Sequence, residues 1–191
     1  GQGIPTDDAD VLSSSTKVEE RADGSVRYEH TVVVPEELAD LPRIGATFEV
    51  PSRFTQLRYY GNGPHENYPD RKASAMLGVW EGAPDELPYL VPQEFGLRTD
   101  CRWMEIVDPT TRDILRIEGD GCFLHMSAVH HTANDLHAAN DRTELKRRRA
   151  LTVHVDIAHR GLGTASCGPD TLERYRVTPG TYTFAYVVSQ R

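Results

Sequence analysis

Lys17-Val18-Glu19-Glu20-Arg21-Ala22-Asp23-Gly24-Ser25-Val26-Arg27-Tyr28-Glu29-His30-Thr31-Val32-Val33-Val34 decides how the rest of the chain is read. Two extended runs, 17–21 and 25–34, flank Asp23-Gly24, whose residues both tolerate positive φ and so favour a tight hairpin turn. Val26, Tyr28, Thr31 and Val33 bring the β-branched and aromatic side chains that suit a pleated surface. Further extended runs are expected over 44–50, 56–60, 73–80, 102–107, 114–118, 122–128, 151–157 and 182–188. Gly, Pro, Asp and Asn clusters separate them at short intervals, which is the punctuation of an antiparallel sandwich or barrel.

Helical periodicity is confined to one region. Thr132-Ala133-Asn134-Asp135 has capping-box spacing, with an acid three positions after a hydroxyl. Leu136, Ala138 and Ala139 follow, and the pattern stops near 140–142; a second helical fragment is expected over 144–148. There is no internal repeat and no low-complexity tract. Only the polar first twelve residues have the character of a linker.

At 191 residues the chain can bury a core without staples. A net charge of −8 excludes the basic field that a general nucleic-acid or anionic-membrane binder needs. Lys146-Arg147-Arg148-Arg149 has no aromatic interleaving, and a solvated strand edge or partner contact is expected for it. No apolar run is long enough to span a membrane, and residues 1–12 lack the apolar core of a secretion signal. Cys101, Cys122 and Cys167 are odd in number, widely spread and without a CxxC pair. That spacing fits free thiols in a reducing cytoplasm better than a disulfide framework or a zinc site.

The eight histidines form no HExxH, and adjacent residues on a strand, such as His130 and His131, point to opposite faces. They read as hydrogen-bonding positions. Glu66, Asp70, Glu94, Glu105 and Asp156 are carboxylates of the kind a glycosidase pairs across a scissile bond; spacing does not say whether any two converge, and acids on sandwich loops are expected to be solvated or paired with arginine. Gly161-Leu162-Gly163-Thr164-Ala165-Ser166-Cys167-Gly168-Pro169 lacks the lysine of a phosphate loop and reads as an irregular loop with Cys167 at its tip. His159 is the base nearest that thiol in sequence. Tyr59-Tyr60-Gly61-Asn62-Gly63-Pro64-His65-Glu66-Asn67-Tyr68-Pro69-Asp70-Arg71 mixes structure breakers with three tyrosines, a histidine, two acids and an arginine. The composition suits either a sugar-contacting surface or a solvated loop.

Four stretches in one order carry a resemblance. They are Leu41-Pro42-Arg43-Ile44-Gly45, the run 61–71 just quoted, Pro88-Tyr89-Leu90-Val91-Pro92-Gln93-Glu94-Phe95-Gly96-Leu97-Arg98, and Asp156 followed by Gly161-Leu162-Gly163 and Ser166-Cys167-Gly168-Pro169. Together they resemble the C-terminal, small-chain-like domain of the large bacterial β-galactosidases of glycoside hydrolase family two. The likeness runs from about residue 41 to the C-terminus, and 1–40 are taken as N-terminal strands that carry little of it. The resemblance implies an all-β, antiparallel, galactose-mutarotase-like supersandwich, incomplete at its N-terminus. It also implies that the catalytic barrel, its two glutamates and its Mg and Na sites lie upstream of Gly1, leaving no catalytic residue, metal or cofactor in this chain.

The same resemblance implies a loop that presents Ser166 and Cys167 to the bound sugar. Well-known members have a tryptophan at the position of Cys167, and a thiol offers no stacking face, so altered affinity or acceptor preference is implied. His65, Glu66, Asp70, Arg71 and Glu94 are expected to build loop architecture or touch sugar, with Arg71 pairing Glu66 or Asp70. The implied role is an accessory domain of an enzyme that hydrolyses terminal β-galactosides such as lactose. Its partners would be the enzyme's other domains, the galactoside and further subunits of a cytoplasmic homo-oligomer, and the chain alone would be inactive. Two alternatives stay open: a carbohydrate-binding module using Tyr59, Tyr60, Tyr68, Trp80 and Trp103 as platforms, and an aldose 1-epimerase-like enzyme using His65 and Glu94 as acid and base.

Overall fold

A computed structural model describes residues 12–84, 89–163 and 168–191. The quoted stretch forms the hairpin its turn demands: β1 (Ser13–Glu20) pairs antiparallel with β2 (Val26–Val34), with Lys17 opposite Glu29 and Gly24 at φ 80°. The Asp23 carboxylate closes the turn by accepting from the Ser25 amide at 3.0 Å and its hydroxyl at 2.6 Å. The chain continues through β3 (Arg43–Pro51), β4 (Gln56–Gly63), β5 (Met76–Gly82), β6 (Arg98–Cys101), β7 (Trp103–Val107), β8 (Ile114–Gly119) and β9 (Leu124–Val129). Helix α1 (Ala133–Ala138), β10 (Ala150–His159) and β11 (Gly180–Gln190) complete it.

The strands form two antiparallel sheets, one ordered β1-β2-β11-β8-β7-β4-β5 and the other β3-β10-β9-β6. Period-two alternation supplies the interior. Leu57 and Tyr59 from β4, Met104 and Ile106 from β7, and Phe184 and Tyr186 from β11 meet Met126 of β9 and Leu151, Val153 and Val155 of β10 in one buried cluster. The fold is therefore an all-β sandwich, and the first forty residues contribute two strands to its larger sheet.

Helix α1 begins where its capping box predicts. The Thr132 hydroxyl accepts from the Asp135 amide at 3.2 Å, and Asp135 Oδ2 accepts from the Thr132 amide at 2.8 Å. Leu136 docks the helix on Phe95 and Val129. The helix expected over 144–148 does not form, because the Arg148 amide donates to the His130 carbonyl at 3.0 Å instead of to a carbonyl one turn back. Lys146-Arg147-Arg148-Arg149 accordingly precedes β10 as irregular chain and lies on no strand edge; Arg148 pairs with Asp135 at 2.5 Å. The strand expected over 73–80 starts only at Met76, since the Ala75 amide turns back to the Lys72 carbonyl.

Candidate functional site

One end of β10 gathers charge on the outward face of the smaller sheet. Asp156 faces outward, and a bulge between Asp156 and Ala158 then inserts one residue. The extra residue sends Ala158 inward opposite Ile44 and turns His159 outward opposite Arg43. His159, Asp156 and Arg43 therefore share one face. Glu94 closes over them: its Oε1 lies 2.7 Å from His159 Nε2 and accepts from Arg43 Nη2. His159 Nδ1 donates to the Arg160 carbonyl at 2.7 Å, so both ring nitrogens have partners among the described residues.

Asp156 is 1% exposed, and neither of its carboxyl oxygens has a hydrogen-bond partner among the described residues. Arg43 Nη1 stands 3.4 Å from Asp156 Oδ2. A Cβ at Gly45 would collide with Asp156 Oδ1, so only glycine leaves room for that carboxyl across the strand pair. Burial pushes the Asp156 carboxyl up to about 7, against the pull of Arg43 and His159. Burial also works against the charged form of Glu94, but His159 and Arg43 overcome it and hold that carboxyl at about 2. Burial lowers His125 and His154, neighbours on the same face, to about 4.

The run 61–71 ties this cluster to the sheets. Asn67 is fully buried; its amide side chain donates to the carbonyls of Asn62 (2.8 Å) and His65 (3.0 Å) and accepts from the Thr99 amide and hydroxyl. Tyr68, also fully buried, sets its ring edge-on to His159 at 5.6 Å between centroids. Glu66 receives Arg71 at 2.8 Å, the Gly96 amide at 2.7 Å and the Tyr89 hydroxyl. Arg71 thus pairs with Glu66 rather than Asp70, while exposed His65 contacts Ser74 at 3.1 Å.

Asp70 does something the sequence did not suggest. Its two oxygens accept from the backbone amides of Leu162 (3.0 Å) and Gly163 (2.8 Å), ninety-odd residues downstream. These are the last described residues before the segment 164–167. Gly163 has φ 62°, and a Cβ there would lie 2.7 Å from the Thr171 amide nitrogen, so the turn out of the clamp requires glycine. On the far side Arg160 donates to Thr171 Oγ1 at 2.6 Å, to Asp170 at 2.8 Å and bidentately to Asp40 at 2.7 and 3.0 Å. Leu162 and Gly163 before the segment, and Asp170 and Thr171 after it, are therefore pinned to the sandwich. A basin of about 790 Å³ lies beside them, lined by Asp70, Arg71, Gln93, Glu94, Leu162 and Asp170 among others.

Ser166 and Cys167 fall outside the described residues. Of the other expected site residues, the structure brings Asp70, Arg71 and Glu94 to one basin and leaves His65 on its own contact. Glu105 sits elsewhere, paired with Arg116 at 2.7 Å. The platform idea needs correcting for two residues: Tyr59 (1% exposed) and Tyr68 (0%) are core, and neither can offer a ring face to a ligand. Arg102 lies over the Tyr60 ring and Arg116 over Trp103. Asp40, Arg160 and Asp170 were missed; a pair such as Asp40 and Arg160, 120 residues apart, leaves no local signal.

Fold and site together define a β-sandwich domain whose charged end holds the backbone at Leu162 and Gly163 and the side chains of Asp170 and Thr171. The family described as beta galactosidase small chain matches residues 6–188, and this chain belongs to that family. It is 35% identical over 143 residues to a beta-galactosidase of Priestia megaterium, covering 74% of this chain and 14% of that protein. A beta-galactosidase of Arthrobacter sp. strain B7 is 35% identical over 147 residues (72% and 14%), and one of Aeromonas hydrophila 35% over 167 residues (84% and 15%). The chain thus spans about a seventh of the length of these curated relatives. Among the described residues no helix is long and apolar enough to cross a membrane.

Proposed function

We propose that this chain is the accessory domain of a β-galactosidase that hydrolyses terminal β-galactosides such as lactose, and that it supplies one wall of the galactoside pocket. The observation that carries this reading is the clamp: Asp70 holds Leu162 and Gly163, while Arg160 holds Asp170 and Thr171, so 164–167 leaves and rejoins a rigid frame. Holding the chain on both sides of 164–167 lowers the entropic cost of ordering what lies between, and Ser166 and Cys167 are proposed to face the sugar. The bond-breaking glutamates, and the Mg and Na of the parent enzyme, are assigned to its other domains. Those domains, and further copies in a cytoplasmic homo-oligomer, are the proposed partners.

The test is turnover of a chromogenic β-galactoside by the purified chain and by a complete enzyme that contains it. The expected result is hydrolysis by the complete enzyme and none above background by the chain. Substantial turnover by the chain overturns the assignment of the chemistry to other domains.

A further inference from the structure

Among the described residues the two sheets end on β1, β5, β3 and β6. Three of these edges carry the features that turn a further strand away, namely charge, proline or irregular backbone. Strand β1 has Lys17, Glu19 and Glu20, β3 has Glu49 and ends on Pro51, and β6 is four residues long with Asp100 at φ 54°. Strand β5 has none of them over Met76-Leu77-Gly78-Val79-Trp80. Met76 is 64% exposed, and Leu77 and Val79 are 50% exposed each. The strand pairs only with β4, so alternate N–H and C=O groups on its far side have no ladder partner among the described residues.

This edge is complementary to itself. Opposed residues of an antiparallel pair point to the same face, so a two-fold axis normal to the sheet must pass through a residue. Centred on Val79, the pairing sets Leu77 against Glu81; centred on Leu77, it sets Trp80 against Ser74, outside the strand. Centred on Gly78, it sets Met76 against Trp80, Leu77 against Val79 and Gly78 against itself, with Glu81 beyond the apolar stretch. Both faces gain. On the outer face Tyr60 stands opposite Val79 and Trp103, its ring 6.4 Å from the indole, so Leu77 of a second copy would prolong an existing row. On the inner face the Trp80 ring lies against Gly78, where a Cβ would come within 3.1 Å of it, and Met76 of a second copy would meet that ring.

We infer that β5 is the surface through which two copies of this chain associate, antiparallel about a two-fold axis at Gly78, joining their larger sheets into one. The partner follows from the register: an identical strand supplies an apolar residue opposite Met76, Leu77, Val79 and Trp80 alike. The inference stands on the edge itself and not on the galactosidase reading.

The experiment is sedimentation velocity of the 191-residue chain at concentrations up to about 1 mM, with Leu77→Lys, Val79→Glu and the double variant. The expected result is a reversible monomer–dimer equilibrium whose Kd each single variant raises roughly tenfold or more. The double variant should recover the dimer at low salt and lose it at high salt. Only the Gly78-centred register sets the new lysine against the other copy's new glutamate, whereas centring on Leu77 or Val79 opposes like charges. If a variant does not fold, amide hydrogen exchange of the unaltered chain decides: protection that rises with concentration is expected in β5, and a rise confined to β1 or β3 contradicts the assignment. A monomer throughout the range, a dimer indifferent to both single variants, or a double variant no better than the singles overturns the inference. Dimerisation alongside a complete enzyme without galactosidase turnover would sink only the functional reading; turnover with a monomeric chain would sink only this one.

Discussion

Strand β10 carries Leu151, Val153 and Val155 toward the larger sheet and Thr152, His154 and Asp156 away from it. Both faces are largely buried, yet they do opposite things for stability. The inward face removes apolar area from water and holds the sandwich together. The outward face hides a carboxyl with no hydrogen-bond partner beside an arginine, an arrangement that burial penalises. One strand thus supplies both the frame and the costly polar group, and the bulge after Asp156 is what adds His159 to the polar side. The contrast indicates that the polar face is retained for what it positions, since it adds little to cohesion.

The largest expected effect tests the inward face. Leu151→Ala should cost about 2–5 kcal/mol of unfolding free energy, the usual range for a buried leucine, measured by urea denaturation. A loss well under 1 kcal/mol would mean that this face does not carry the frame.

The next tests the outward face through pH. Because burial raises the Asp156 carboxyl to about 7 from an ordinary 3.8, the folded state favours its protonated form. The stability this group contributes is fully present below about pH 4 and is lost as pH rises through about 7. His125 and His154, lowered from 6.5 to about 4, act in the other direction, because the unfolded chain takes up their protons as pH falls through that window. Subtracting the parent from Asp156→Asn removes the histidine contribution. The difference in stability should move in the variant's favour by on the order of a few kcal/mol between pH 4 and pH 8. Urea midpoints at pH 4, 5.5 and 7.5 check this, and a pH-independent difference would contradict it.

The smallest effect concerns the clamp. Asp70→Ala removes the acceptor for two backbone amides and should raise hydrogen exchange at Leu162 and Gly163 about tenfold to a hundredfold, equivalent to roughly 1–3 kcal/mol locally. Core amides of β10 should keep their protection. Equal acceleration in both places would erase the distinction between frame and loop.

How much of this the sequence disclosed follows the same division. Asp23-Gly24 between alternating runs and the Thr132–Asp135 capping box are local signals, and both elements stand where they were expected. Strand β6 was invisible because four residues with Asp100 at φ 54° and a register shift between Arg98 and Cys101 leave no alternation to read. The outward turn of His159 depends on one inserted residue, which periodicity alone assigns to the wrong face. Tyr68 looked like a loop aromatic, but its ring is core because Asn67 pulls the run down onto Thr99. Asp70, Glu94 and Arg71 could be named as candidates from composition, whereas their partners Gly163, His159 and Tyr89 are tertiary facts.

In the proposed reading this domain braces the backbone around 164–167 for a galactoside pocket whose bond-breaking groups belong to other domains. The decisive measurement is the Michaelis constant of a complete galactosidase carrying Asp70→Ala, set beside that of its parent. A several-fold rise in KM is expected, with the unfolding midpoint of the sandwich nearly unchanged, because Asp70→Ala frees Leu162 and Gly163 while the core of the sandwich keeps its contacts. An unchanged KM in a variant whose Leu162 and Gly163 amides are demonstrably freed would contradict it.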